Sequence, residues 1–373
     1  MDPAAEVTTA GLYAATEHIL GQEHARQMLA NLLRRQWLVA QGRYERSHGA
    51  LAAGATGVGK TFLIRTMCQQ AGLPFAEVNA TQFTDVGYVG MNLSQMFLPL
   101  ILSAIGMRRA ALEEQYGASV LDSIDDSNPE SVLKVDHRIL GPAVEAAESG
   151  VVLLDEFDKW MIGETHDPGS KVKSKKEGVP EGRNVGRKLQ AELLKIVEGS
   201  DVYVTDKEEE LGQVFNTERV LVIAAGAFIG IDKIINDRTG REMTDDPRQW
   251  ERTEPKDFEH FGLLPELAGR LAVHIAFKPL REHHIIQMID DSGLLTEFEE
   301  RFHNEGCGMV VENGAMQIVA KNALNLGIGA RGLRHVMERT FGPALFEASM
   351  NGGGTVVLDA TAAQGKRARW VAD

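Results

Sequence analysis

The sequence predicts an α/β protein, a mostly parallel sheet covered by helices on both faces, followed by a smaller, mainly helical C-terminal domain. Three observations predict it. Short apolar runs that read as buried strands (GALAA, PFAEVNA, VVLLD, RVLVIAAGAF) alternate with longer stretches of helical period. A glycine-rich turn joins the first such strand to the helix after it. From about Pro279 the pattern changes to helix after helix, closed by one strand, TVVLDA. The expected division is therefore 1–278 for the sheet domain and 279–373 for the helical one.

In chain order, residues 16–40 carry apolar side chains at helical spacing, with Gly21 as a break near the start. Residues 49–53 are small and apolar and read as a strand. TFLIRTMCQQAG reads as a helix stopped by Gly72, and PFAEVNA as the next strand. Residues 92–116 are rich in Leu, Ile and Met and read as helix. Residues 117–137, with DSIDDSNPES at their heart, read as an inserted polar surface loop. Residues 144–148 should end a helix before the strand at 151–154. Residues 163–188, rich in Gly, Lys and Pro, are expected to be a mobile loop. QAELLKIVEG then reads as an amphipathic helix closed by Gly199, and RVLVIAAGAF as another buried strand.

Bulk properties exclude several classes. No stretch approaches the roughly 18 uninterrupted apolar residues of a membrane span. The N-terminus has an early acid and no basic segment before an apolar run, so it does not read as a signal peptide. Cys68 and Cys307 are the only cysteines, which excludes a Cys-rich zinc module and fits a reducing cytoplasm. The net charge of −14 disfavours nonspecific grip on a nucleic-acid backbone.

GATGVGKT, Gly54 to Thr61, fits G-x-x-x-x-G-K-[ST]. Gly54, Gly57 and Gly59 permit turns that aim successive N–H groups at phosphate oxygens, and the following helix points its positive end at the same charge. Lys60 adds a cation for the outer phosphates, and Thr61 a hydroxyl for Mg²⁺. Thr56, Val58 and Phe62 complete the expected ATP-binding set. VVLLDEFDKW poses a separate question, because buried strands seldom end in adjacent acids. Beside a phosphate loop, Asp155 would hold Mg²⁺ and Glu156 would orient and deprotonate the attacking water.

Further stretches, taken together, resemble the AAA+ ATPases of the ClpX and HslU type, the unfoldases of ATP-dependent proteases. They are ILGQEHARQML, VGYVGMNL, VVLLDEFDKW, ELLKIVEGSDV, VLVIAAGAFIGIDKII, GLLPELAGRLAV and GARGLRHVMERTF. The resemblance covers about residues 16–360 and is nearer to ClpX, since no large intermediate domain is evident. It implies a P-loop AAA+ sheet domain with a C-terminal lid, and a ring, expected to be a homo-hexamer, that threads protein substrates through its pore. It also implies roles for residues. Ile19 and Leu20 would contact the adenine. Gly87, Tyr88, Val89 and Gly90 would form the loop that grips the threaded chain. Arg270 would be the finger that reaches a neighbour's γ-phosphate, and Arg331 the sensor cation of the lid. Read without the resemblance, a Tyr–Val pair between glycines can grip peptide of any sequence. On the same footing Arg270 either pairs with a nearby acid or leaves the surface for a phosphate.

The chain also departs from that family. No Ile-Gly-Phe tripeptide lies between Asp232 and Gly262, which makes a docked peptidase partner doubtful. The basic pore-entrance loop is replaced by the acidic TDKEEELGQVFNTE, which should disfavour acidic tags. The basic run between Lys171 and Lys188 reads equally as a second pore loop or a solvated insert. Two rival functions remain open at this level: an ATP-switched assembly protein acting on one partner without threading, and a nucleic-acid motor.

Overall fold

The computed structural model describes residues 6–83, 92–161, 181–205, 211–240, 252–326 and 332–371. They form two compact units. The first is residues 1–18, 22–54 and 60–277; the second is 278–373 together with 19–21 and 55–59.

The first unit is built on a five-stranded parallel sheet. Its strands in chain order are β1 (Ala50–Ala53), β2 (Phe75–Asn79) and β3 (Val151–Asp155). A hairpin, β4 (Asp201–Thr205) and β5 (Gly212–Asn216), stands apart. The sheet then resumes with β6 (Leu221–Gly226) and β7 (Val273–Ala276). The spatial order is β2-β3-β6-β1-β7. The interior strands β1 and β6 are buried at every residue, and β3 is buried until Asp155. That is why they read as unbroken apolar runs rather than alternating ones. β2, at an edge, alternates instead, with Ala76 and Val78 buried and Glu77 exposed.

Helices Glu23–Ala40, Lys60–Ala71, Leu98–Tyr116, His137–Ala147 and Glu181–Glu198 cover the sheet. The expected helix at 16–40 begins only at Glu23; Gly21, at φ 75°, takes the left-handed turn before it. The helical stretch at 92–116 opens with a tight turn, Leu93–Phe97, and Pro99 then starts the α-helix. The segment at 117–137 is more than a polar surface loop. Leu121, Val132, Leu133 and Val135 flank its acidic heart and are buried in the main core. Residues 181–188, expected in the mobile loop, belong to helix Glu181–Glu198, while 162–180 lie outside the described residues.

The hairpin β4–β5 falls where the sequence reads as an acidic loop. Each strand buries one large residue, Val204 and Phe215, and Phe215 stacks on Phe97 with ring centroids 4.4 Å apart. One stacked aromatic pair fastens the hairpin to the core.

The second unit carries a three-stranded sheet, order β10-β9-β8, made of β8 (Gly308–Val311), β9 (Thr355–Leu358) and β10 (Arg369–Val371). Only β9 was apparent from sequence. Helices Glu282–Asp291, Leu294–Asn304, Asn313–Asn325 and Leu333–Asn351 pack into a separate core, in which Phe298 meets Phe341 edge-on at 5.1 Å.

Candidate functional site

β1 runs into the glycine-rich turn through Gly54, whose N–H donates to the Gly226 carbonyl at 3.2 Å. A Cβ on Gly54 would stand 2.7 Å from the Phe277 carbonyl oxygen, so the close pass of the chain after β7 requires glycine here. Gly57 and Gly59 need glycine for another reason, as both adopt left-handed backbone, φ 78° and 92°. Helix Lys60–Ala71 starts as the turn ends, which places its N-terminal N–H groups at the mouth of the loop.

Lys60 is buried, and its Nζ donates to the Gly54 carbonyl at 2.6 Å. Thr61 Oγ1 donates to Asp155 Oδ2 at 3.3 Å, across 94 positions of sequence. Asp155 ends β3, and its Oδ1 accepts from the Glu156 N–H at 2.9 Å. All strands being parallel, β1, β3 and β6 end on one edge, with β6 between the other two. Crevices at that edge are where ligands bind in open α/β sheets. A hydroxyl and a carboxylate beside a buried lysine form a hard-oxygen donor set suited to Mg²⁺ on a triphosphate. Among the described residues no group of three or more His, Cys, Asp or Glu side chains gathers to hold a metal unaided, so phosphate oxygens would have to complete such a shell.

Sequence reasoning missed a second feature. Glu156 is exposed and left-handed, φ 56°, and among the described residues the only other non-glycine with positive φ is Phe228, φ 46°. Asp158 joins their two loops. It is 5% exposed, and its Oδ2 accepts from the Phe228 N–H at 3.3 Å. A Cβ on Gly226 would lie 2.7 Å from Asp158 Oδ1. Burial pushes the Asp158 carboxyl above the usual carboxylate range, with Lys159 opposing. Left-handed non-glycine backbone costs about 1–3 kcal/mol per residue and persists only where the surroundings enforce it. The buried carboxylate supplies that enforcement at Phe228. The fourth residue of DEFD was the signal available in the sequence.

The remaining candidates differ in burial. Ile19 is buried, Leu20 half-buried, Thr56 exposed and Val58 buried. Phe62 is exposed and meets His18 edge-on at 6.3 Å. Arg270 ends helix Pro265–Arg270, and its Nη2 donates to Glu198 Oε1 at 2.9 Å. Gly87, Tyr88, Val89 and Gly90 lie outside the described residues, as does Arg331.

Residues 47–274 match the family model described as AAA domain (Cdc48 subfamily), and residues 280–357 match the C-terminal, D2-small domain of ClpB protein. The chain is 27% identical over 360 residues to the ATP-dependent Clp protease ATP-binding subunit ClpX of Treponema denticola, covering 89% of this chain and 75% of that protein. It is 26% identical to ClpX 2 of Wolinella succinogenes, with the same two coverages of 89% and 75%. ClpX of Borrelia duttonii is also 26% identical, over 89% of this chain and 72% of its own length.

Proposed function

The chain belongs to the AAA domain (Cdc48 subfamily) family and is an AAA+ ATPase chaperone of the Clp type, and from that premise we propose that it threads polypeptide through the pore of a ring of its own copies. One observation carries the ATP-hydrolysis part of the reading: the Thr61 hydroxyl on the Asp155 carboxylate, at the strand edge where Lys60 follows the glycine turn.

ATP brings the phosphoryl group to be transferred, and Mg²⁺ neutralises charge on it when bound. The chain's residues do the rest. Lys60 exchanges its Gly54 carbonyl for the outer phosphates. Thr61 and Asp155 would hold Mg²⁺. Glu156, exposed at the strand end, orients a water and takes its proton. Ile19, Leu20, Thr56, Val58 and Phe62 seat the nucleotide. Arg270 of one copy reaches the γ-phosphate held by the next, and Arg331 reports its presence to the lid. Here residues 1–278 act as the motor domain and 279–373 as the lid. The ring is taken to be a hexamer, and Gly87–Gly90 the loop that grips substrate.

Tyr88→Ala tests the threading step. ATP hydrolysis should persist while unfolding of a tagged, folded substrate is lost. Unfolding that survives this change would leave remodelling without threading as the function.

No peptidase partner is proposed, because the docking tripeptide is missing from the sequence. β4 and β5 bracket an acidic segment, which supports a preference for basic tags over acidic ones. Competition between the two kinds of peptide decides this, and a preference for acidic tags rejects it. Cys68 and Cys307 are free and buried, which supports a reducing, cytoplasmic setting. No helix among the described residues is long and apolar enough to cross a membrane.

A further inference from the structure

We propose that Glu198 is a positioning residue for Arg270, aiming its guanidinium toward the nucleotide of an adjoining copy; this rests on the reading of Arg270 as a finger acting between copies.

The short helix Pro265–Arg270 is held at both ends by one long helix, Glu181–Glu198. At the near end stands Gln190, fully buried. Its Oε1 accepts from the Leu264 N–H at 2.8 Å, and its Nε2 donates to the Gly262 carbonyl at 3.3 Å and the Trp160 carbonyl at 3.4 Å. At the far end Glu198 Oε1 accepts from Arg270 Nη2 at 2.9 Å. Arg46 Nη1 donates to the Glu198 backbone carbonyl at 3.3 Å, which fixes the end of the long helix. Six residues that carry an arginine at their tip are thus clamped at entry and exit by the same rigid element.

Glu198 occupies a position that disfavours an acid. The last turn of a helix presents the negative end of its dipole, so a carboxylate there calls for a cation. Arg270 is the cation that answers. The form of the contact matters as well. Arg334 grips Glu297 with both terminal nitrogens, each at 2.7 Å, and Arg238 holds Asp257 at 2.8 and 2.9 Å through two nitrogens. Arg270 meets Glu198 through Nη2 alone. A one-point hold sets the direction of the side chain and leaves the rest of the planar fork for a phosphate. Both side chains are 44% exposed, so the pair is too weak to trap the arginine and strong enough to bias its rotamers.

The test is steady-state hydrolysis of ATP by the full chain, at protein concentrations where sedimentation shows assembly to be saturated. Glu198→Ala should lower kcat by up to about fivefold, the ceiling for an exposed pair, with KM for ATP and melting temperature unchanged. Glu198→Gln keeps an acceptor and should recover part of the loss. In an Arg270→Ala background, Glu198→Ala should have no further effect. A rise in kcat on Glu198→Ala would make the pair a lock and overturn the proposal, as would no change. An equal loss in the Arg270→Ala background would also overturn it, by showing that Glu198 acts elsewhere. If Arg270→Ala alone keeps full kcat, the finger reading fails, and that result is distinct from a failure at Glu198.

Discussion

The two sides of the candidate site are built differently. On the phosphate side, Lys60 is buried, Thr61 already touches Asp155, and Gly54 is wedged against Phe277. These contacts all lie within one chain. On the arginine side, Arg270 lies half in solvent at the tip of a six-residue helix, on a single hydrogen bond. The first side is built within the chain, and on the proposed reading the second acts on a neighbour's nucleotide. On that reading, an ATPase divided in this way would bind nucleotide as a single copy and hydrolyse it fast only when assembled, because the arginine that stabilises transition-state charge would come from a neighbour.

That contrast can be broken most sharply at its weaker-looking end. Arg270→Ala should lower kcat about 10³-fold or more while leaving ATP affinity near wild type, as read by equilibrium binding of a fluorescent analogue. If affinity collapses instead, the two sides are not separable. Glu156→Gln should come next, with a loss of about 10²-fold or more in kcat and ATP retained long enough to trap bound substrate. Gly54→Ala sharpens the phosphate side. A methyl pressed on the Phe277 backbone should cost about 1–3 kcal/mol, seen as a lowered urea midpoint. An unchanged midpoint would show that β1 and the chain after β7 can part freely.

The smallest effect concerns pH. His274, on β7, has its pKa lowered from 6.5 by burial, against a weak opposing bond to the Thr253 carbonyl and the nearby Asp257 charge. The folded state keeps it neutral while the unfolded chain takes up a proton below about 6.5. Its contribution is therefore intact above that value and lost as pH falls through the lowered folded value. His274→Phe should flatten the decline of melting temperature between pH 7 and 5, and an identical slope in the variant would remove His274 as its source.

Much of the first unit was legible in the sequence because its requirements are local. Unbroken runs such as VVLL mark strands buried on both faces, and a glycine turn entering a helix at Lys60 marks itself. What stayed hidden depends on distance. The contact of Arg270 with Glu198 spans 72 positions, whereas Thr61 and Asp155, 94 positions apart, were both assigned to one Mg²⁺ from their motifs. Arg270 could be singled out by its motif, but which acid it meets is decided by the packing of two helices. The hairpin β4–β5 was missed because each strand buries so little, Val204 on one and Phe215 on the other. The insert misled in the opposite sense, since its acids drew attention from Val132 and Leu133, which enter the core. β8 and β10 alternate exposed with half-buried residues, and at four and three residues each is too short to stand out as a strand.

Asp158 and Gly226 have a consequence for how the sequence can change. The carboxylate leaves no room for a side chain at position 226, while Ile229, three residues on, projects almost wholly into solvent. A saturation library over this loop, selected for ATP turnover, should return a single amino acid at one position and nearly all twenty at the other. The boundary between frozen and drifting sequence is drawn by one acid that never reaches the surface.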